Sequence, residues 1–386
     1  MANEVNYMEN VDRIPFRADH VGSLLRPESL HDARRRFAAG TLDGAALREL
    51  EDREIYRVVA KQEAVGLRSA TDGEFRRASW ITDFVQNVTG VPNRTGGSRA
   101  KWFSPQGDEI ELAPIATTHV PASTSPSALK LENVVFADDF TYLDEECESA
   151  VAKLCLPSPS MIHFRGGDVA IDRAIYPDLE EFWSDLVDVY VREIEGLASL
   201  GCTYLQLDDT SFAFLCDPRE QAGLVERGND APTLFARYTD TINRIVARRP
   251  AGMSITLHTC RGNNQSAWAA SGGYEPIAES VLGGLRVDGL FLEFDDERSG
   301  SFDVLRFVPS STRVVLGLVS SKTATLEDKS VLKRRVDEAS KFLPLEQLCI
   351  SPQCGFASTE PGNNLTEDQQ FAKLELVVET ASEIWG

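Results

Sequence analysis

Basic charge is in short supply. The chain sets 39 Lys and Arg against 60 Asp and Glu, a formal net charge of -21. A field of that sign repels phosphates, and no long basic run offsets it, so nucleic acids and anionic membrane surfaces are excluded as partners. Cysteine is scarce as well. Seven are scattered through 386 residues, an odd number and too few for a disulfide scaffold, so they read as reduced thiols. No apolar run reaches the length of a membrane span. The opening MANEVNYMENVDRIPF lacks the basic and apolar regions of a secretory leader, and a cytoplasmic protein is expected. There is no fixed-period repeat. HVGSLLRP, after the first apolar run, lacks the GxGxxG spacing that an open dinucleotide-binding sheet places there.

What is present is a large apolar fraction, 42% of the residues, enough for a sizeable core. It is arranged as short apolar runs alternating with amphipathic stretches. The runs fall at 17–23, 67–74, 153–160, 203–209, 253–259, 289–295, 313–320 and 347–354. Each is followed by helical material, first the long stretch 29–66, broken near Gly40, and last 366–385. The runs are apolar on both faces, as parallel strands covered on both sides should be. Eight strand-then-helix units in succession imply a single α/β domain over 1–386, a (β/α)8 TIM barrel. One span, about 91–145, interrupts the alternation and reads as a β-hairpin insertion between the second helix and the third strand.

In such a barrel the active site lies at the C-terminal strand ends. In order these ends carry His20 and Ser23; Asp72 and Glu74; Ser158, Ser160 and His163; Asp208 and Asp209; His258 and Cys260; Glu293 and Asp295; Ser320 and Lys322; and Cys354. His258 and Cys260 are two apart on one strand and so share a face. With Glu293 and Cys354 they make a set of one imidazole, two thiols and a carboxylate that suits Zn²⁺. A lone strand cysteine such as Cys202 or Cys349 reads more simply as a small buried apolar residue. A second set, Glu74, Asp208 and Ser23, has the chemistry of an amino-acid clamp: two carboxylates for an ammonium, and a hydroxyl near Gly22 for a carboxylate. Asp72 and Asp209 read instead as caps on the helices that follow.

These motifs resemble the cobalamin-independent methionine synthases, in particular their C-terminal catalytic barrel and the short single-barrel form. The resemblance rests on ADHVGSLLRP, TDGEFRR, PSPSMIHFRGG, LQLDD, LHTCRGN, LEFDDERSGSFDVL, LGLVSSKT and ISPQCGFAS, spread from about residue 15 to 386. It implies a zinc held by His258, Cys260, Glu293 and Cys354. It implies that Glu74 and Asp208 hold the amino group of homocysteine and that Ser23 lies by its carboxylate. The reaction implied is methylation of a zinc-activated thiolate, with a small-molecule thiol and a methyl or alkyl donor as partners. One departure leaves the donor open: where full-length members carry a histidine after the seventh strand, VSSKTATLE offers Lys322. His20 remains at the mouth as a substrate contact, and His163 and Lys322 as candidate catalytic groups.

Two other readings compete. One is an alkyltransferase acting on a different thiol, of the epoxyalkane:coenzyme M type, with Arg76, Arg77 and Arg165 for a sulfonate. The other is a non-catalytic zinc-binding protein, which ligands at an open strand mouth argue against. Oligomeric state is not encoded in any feature recognised here.

Overall fold

The structure, a computed structural model, describes residues 13–92, 101–112 and 127–386. Seven strands form one parallel sheet in chain order: β1 (Ser69–Ala70), β2 (Val151–Pro157), β3 (Tyr204–Asp209), β4 (Ser254–Thr259), β5 (Gly289–Glu293), β6 (Arg313–Val319) and β7 (Leu348–Pro352). Every residue of β3, β5, β6 and β7 is buried, which is why these runs show no polar alternation in the sequence.

The expected first strand is reduced to a single parallel bridge, Ala18 to Ile350. The segment still spans the two sheet edges. Asp19 N donates to Ile350 O (3.1 Å) and Ile350 N to Arg17 O (2.9 Å) on the β7 side. Thr71 Oγ1 donates to Gly22 O (2.6 Å) and Leu24 N to Gly73 O (3.0 Å) on the β1 side. Gly22, at φ +134°, lets the chain pass so close to β2 that a Cβ there would sit 2.6 Å from Cys155 Sγ. The result is an α/β fold with a curled parallel sheet of the TIM-like kind.

Helices clothe the sheet: α1 (Glu28–Ala38), α2 (Gly44–Ala64), α3 (Ala137–Glu146), α4 (Leu179–Ser199), α5 (Ala231–Val246), α6 (Lys329–Ala339) and α7 (Glu367–Trp385). Their starts are written in the sequence. Asp43, Asp178, Asp230 and Asp328 each accept a backbone N–H of the first turn, and Thr366 with Gln369 forms a capping box on α7. α5 buries Leu234, Phe235, Tyr238, Ile242 and Ile245, the three-and-four spacing of one helical face.

The departures are local. The 276–284 stretch forms one 3₁₀ turn and one π turn rather than an α-helix, with Pro276 at its start and Gly283–Gly284 at its end. Residues 302–307 are 3₁₀. The insertion differs more. Val88–Thr89 pairs antiparallel with Lys130–Leu131, and Trp102–Phe103 with Glu109–Ile110. Within the span expected to form a β-hairpin, residues 128–140 hold a strand only at Lys130–Leu131 and then give way to α3. Glu193 accepts the N–H groups of Val135 (2.7 Å) and Phe136 (3.0 Å), and Asp138 and Asp139 fill the first turn, so helix initiation wins. The opposing half of that hairpin falls partly on 113–120, outside the described residues. Among the described residues, no helix is long and apolar enough to cross a membrane.

Candidate active site

Parallel register sets the first group. Asp208 pairs with His258 across β3 and β4, and Gly317 with Glu293 across β6 and β5. Cys260 and Cys354 lie just past the ends of β4 and β7. The structure brings His258, Cys260 and Cys354 together. One ligand atom from each lies within 4.8 Å of the others, all three residues are buried, and the two Sγ atoms are 3.6 Å apart. The two thiols share one hydrogen bond. That bond, with His258 beside it, holds the Cys354 thiol well below its ordinary range, whereas Cys260, facing the Cys354 thiolate, is pushed well above. His258 Nδ1 meets Asp208 Oδ1 at 3.0 Å, and Nε2 lies 3.3 Å from Gln353 O. Burial pulls the imidazole pKa down, but its bonds to Asp208 and Cys354 outweigh that and raise it to about 10.

Glu293 is not in this group. Its Oε2 accepts Arg261 N at 2.6 Å, and its Oε1 lies 3.4 Å from Arg298 Nη2 and 3.5 Å from Lys322 Nζ. Burial would raise its pKa, yet Lys322, Arg261 and Arg298 together bring it down to about 2. Lys322 is itself buried and is held charged by Glu293 and Asp295.

Asp208 joins the first group to a second. Ligand atoms of Glu74, Cys155 and Asp208 also lie within 4.8 Å of one another. Glu74 has φ +60°, a left-handed backbone that a non-glycine residue adopts at a cost of about 1–3 kcal/mol. Its neighbours hold it there: Asp72 Oδ1 accepts Glu74 N (2.8 Å), and Arg26 Nη2 donates to Glu74 O (2.8 Å). The side chain is buried, Oε1 lies 3.8 Å from Arg77 Nη1, and Oε2 has no hydrogen-bond partner. Burial, with Asp208 adding to it against Arg77, pushes the carboxyl up to about 7. Ser23 sits against Gly355, where a Cβ would fall 2.0 Å from Ser23 Oγ, so the hydroxyl is adjacent to the Cys354 segment.

Two histidines are placed elsewhere. His20 Nε2 lies 3.3 Å from Ser69 O in a buried polar layer with Asp19 and Lys153, and burial together with Lys153 brings its pKa down to about 4. His163 is enclosed by Phe182, Trp183 and Tyr238, with Nδ1 on Tyr238 Oη and Nε2 on Asp168 Oδ1, both at 2.8 Å. Neither ring joins the two groups. Asp209 accepts Phe212 N (2.9 Å) and Ser211 Oγ (2.8 Å), the bonding of a cap.

The sequence reading missed Cys155, Arg261 and Arg298. Cys155 carried one usable signal, a polarizable side chain in KLCLP on the strand that ends beside Ser158. Arg261 had another, as the residue next to Cys260. The 102–110 hairpin lies inside the span expected to hold a β-hairpin, with strands of only two residues. It caps the loop after β4: Phe103 N donates to Trp268 O (2.8 Å), Trp268 N to Phe103 O (3.0 Å), and the two rings stack at 4.5 Å.

Fold and site together define a TIM-like α/β protein whose strand ends gather thiols, an imidazole and carboxylates into buried groups. The family described as the catalytic domain of cobalamin-independent synthase matches residues 16–383. The chain therefore belongs to the cobalamin-independent methionine synthase family, a family of methyltransferases. It is 45% identical over 378 residues to the uncharacterized protein YxjH of Bacillus subtilis, covering 98% of this chain and 97% of that one. A methionine synthase of Pyrococcus abyssi is 23% identical over 298 residues, 77% of this chain and 73% of that one. A crystal structure from Listeria monocytogenes, described as a "putative vitamin-B12 independent methionine synthase", is 37% identical with a TM-score of 0.75, covering 96% and 98% of the two chains.

Proposed function

We propose that this chain is a zinc-dependent thiol methyltransferase that converts homocysteine to methionine, acting in the cytoplasm as a single domain of 386 residues. In this reading the 17–23 segment is the first strand of a closed (β/α)8 barrel, with the insertion at about 91–145. The observation that carries the proposal is the N,S,S group of His258, Cys260 and Cys354, bridged by Asp208 to Glu74. Two Zn–S bonds of about 2.3 Å at a tetrahedral angle set their sulfurs about 3.8 Å apart. The 3.6 Å between Cys260 and Cys354 fits that.

Each residue then has a task. Asp208 accepts from His258 Nδ1 and so presents Nε2 toward the metal. Glu74, with its free Oε2, and Asp208 pair with the substrate ammonium. Ser23, next to Cys354, takes the carboxylate end and aims the substrate sulfur at the thiol group. Burial of both groups keeps water from the reacting sulfur. Zinc, when bound there, supplies the deprotonation of a thiol that is otherwise mostly protonated near neutral pH. The thiolate attacks a methyl carbon of the donor, and Lys322 stands near as a candidate acid for the leaving group.

The coenzyme M alternative loses support. Arg76 is paired with Asp52 and lies 3.6 Å from Asp139, and Arg77 faces Glu74 and donates to Cys155 O, so both charges already face carboxylates even though each guanidinium keeps N–H groups without a partner; Arg165 lies over the Phe164 and Phe214 rings. The deciding experiment is zinc-dependent thiol consumption, comparing homocysteine with coenzyme M and a methylfolate with an epoxide. Homocysteine consumption that disappears with a chelator is expected. A zinc-loaded protein that does not bind homocysteine refutes the proposal.

A further inference from the structure

Lys153 on β2 and Asp19 in the first segment form an ion pair that the thiol and carboxylate groups do not use. Both are fully buried, with Lys153 Nζ 3.1 Å from Asp19 Oδ1. A buried pair loses its hydration and is kept only where its other hydrogen-bonding positions are filled. Asp19 fills its own by accepting from Phe16 N (3.2 Å), His20 N (2.8 Å), Ser69 Oγ (3.0 Å) and Tyr204 Oη (2.8 Å). Lys153 donates in addition to His20 O. Its ammonium lies 4.2 Å from the Phe291 ring centroid and 4.8 Å from that of Tyr204. The pair therefore joins the first segment to side chains of β1, β2, β3 and β5.

The first segment needs such a tie. Its backbone bonds to neighbouring elements lie at its ends, at Arg17 and Asp19 on one side and at Ser23 and Leu24 on the other. Between them, three successive carbonyls accept from side chains. His20 O accepts from Lys153 Nζ, Val21 O from Gln206 Nε2 (2.6 Å) and Cys155 Sγ (3.2 Å), and Gly22 O from Thr71 Oγ1 (2.6 Å). The donors on β2 and β3 come in layers set by strand register: Lys153 with Tyr204, then Cys155 with Gln206, then Pro157 with Asp208. Asp19 meets the first layer and Val21 O the second. Ser23, two residues on, stands beside Gly355. Gln206 Nε2 also donates to Asp208 Oδ1 (2.8 Å), so the same side chain reaches the first segment and a carboxylate of the proposed substrate clamp.

We infer that Lys153, acting through Asp19 and His20 O, is a positioning residue for the thiol substrate. It holds the 19–22 backbone where a strand ladder is missing, and so sets the place of Ser23 relative to Asp208. Lys153 itself touches no substrate. The inference rests on the reading that Ser23 meets the carboxylate end of that substrate, and the two can fail separately.

The test compares two thiols by calorimetry on the zinc-loaded full chain: homocysteine, and 3-aminopropane-1-thiol, which is homocysteine without its carboxylate. Ser23→Ala is the check on the parent reading. It should weaken homocysteine and leave the analogue unchanged; an equal effect on both refutes the carboxylate role of Ser23, whatever Lys153 does. Given that check, Lys153→Met should weaken homocysteine by about tenfold, the loss of one hydrogen bond, and change the analogue by less than about twofold. In turnover the KM for homocysteine should rise while kcat stays near that of the wild type. A lysine that serves stability alone would lower the folded fraction and leave both affinities per folded molecule unchanged. That result overturns the inference, and so does an equal loss for the two thiols. Should Lys153→Met fail to fold, the double variant Asp19→Asn/Lys153→Met removes both charges and strands neither. It should show the same selective loss of homocysteine, and equal affinities for wild type and double variant overturn the inference.

Discussion

Glu74→Gln tests the substrate clamp at its most exposed assumption. The change keeps the side-chain shape and removes one charge. Asp208, already engaged by Gln206 Nε2 at 2.8 Å and by His258, is left as the remaining carboxylate. A hydrogen bond to a charged group contributes about 1.5–3 kcal/mol, and about 1.4 kcal/mol is tenfold in affinity. Homocysteine should therefore bind roughly 10- to 100-fold more weakly, measured by calorimetry on zinc-loaded protein, with zinc content unchanged. The pH dependence sharpens the test. Burial and Asp208 raise the Glu74 pKa from the usual 4.5 to about 7. Its negative charge is thus lost as pH falls through about 7, and affinity should fall with it; the variant should lack that inflection. The sign for stability is the opposite. A carboxyl with a raised folded-state pKa stabilises fully below its unfolded value and loses that contribution as pH rises to its folded value. Between pH 4.5 and about 7 the wild type should lose on the order of 3 kcal/mol from this group, and Glu74→Gln should flatten the decline. Unchanged homocysteine affinity, or loss of zinc with the charge, would show that Glu74 does not hold the ammonium.

Cys354→Ser should lose zinc and turnover together, assayed as bound metal and thiol consumption; full zinc with full turnover would remove Cys354 from the site. Gly355→Ala forces a Cβ to within 2.0 Å of Ser23 Oγ. It should cost about 1–3 kcal/mol in chemical denaturation and raise the KM for the thiol, with Ser23→Ala partly restoring stability. His163→Gln breaks one or both of the bonds to Tyr238 and Asp168 and should lower stability by about 1–3 kcal/mol while turnover per folded molecule holds. A large fall in that turnover would restore His163 as a catalytic group.

Much of the sheet could be read from the chain because its strands are buried on both faces, leaving uninterrupted apolar runs such as VVLGLV with helix caps at their far sides. The first strand misled in length, because Gly22 and the approach to Cys155 leave room for a bridge and not a ladder. The exact strands of the 102–110 hairpin were not legible because they are two residues long and Phe103 is held by tertiary contact with Trp268, which local pattern does not encode. In the site, His258 and Cys260 were legible through the two-residue period of a strand. Cys155 was not, since one thiol in an apolar run looks like core. For His163, sequence gives a place past a strand end, while the packing of α4 and α5 around it decides where the ring points. Glu293 was read by strand position alone, and the three cations that hold it come from 261, 298 and 322, a convergence that only the fold reveals.

The spacing of the thiols has a consequence for biosynthesis. Cys260 and Cys354 are 94 residues apart in sequence and 3.6 Å apart in space. During translation the first thiol emerges with His258 long before the second, so the group of one imidazole and two thiols is complete only once the last strand is made. Until then Cys260 lacks its Cys354 partner, and an unpaired thiol is the form that oxidants and soft metals attack.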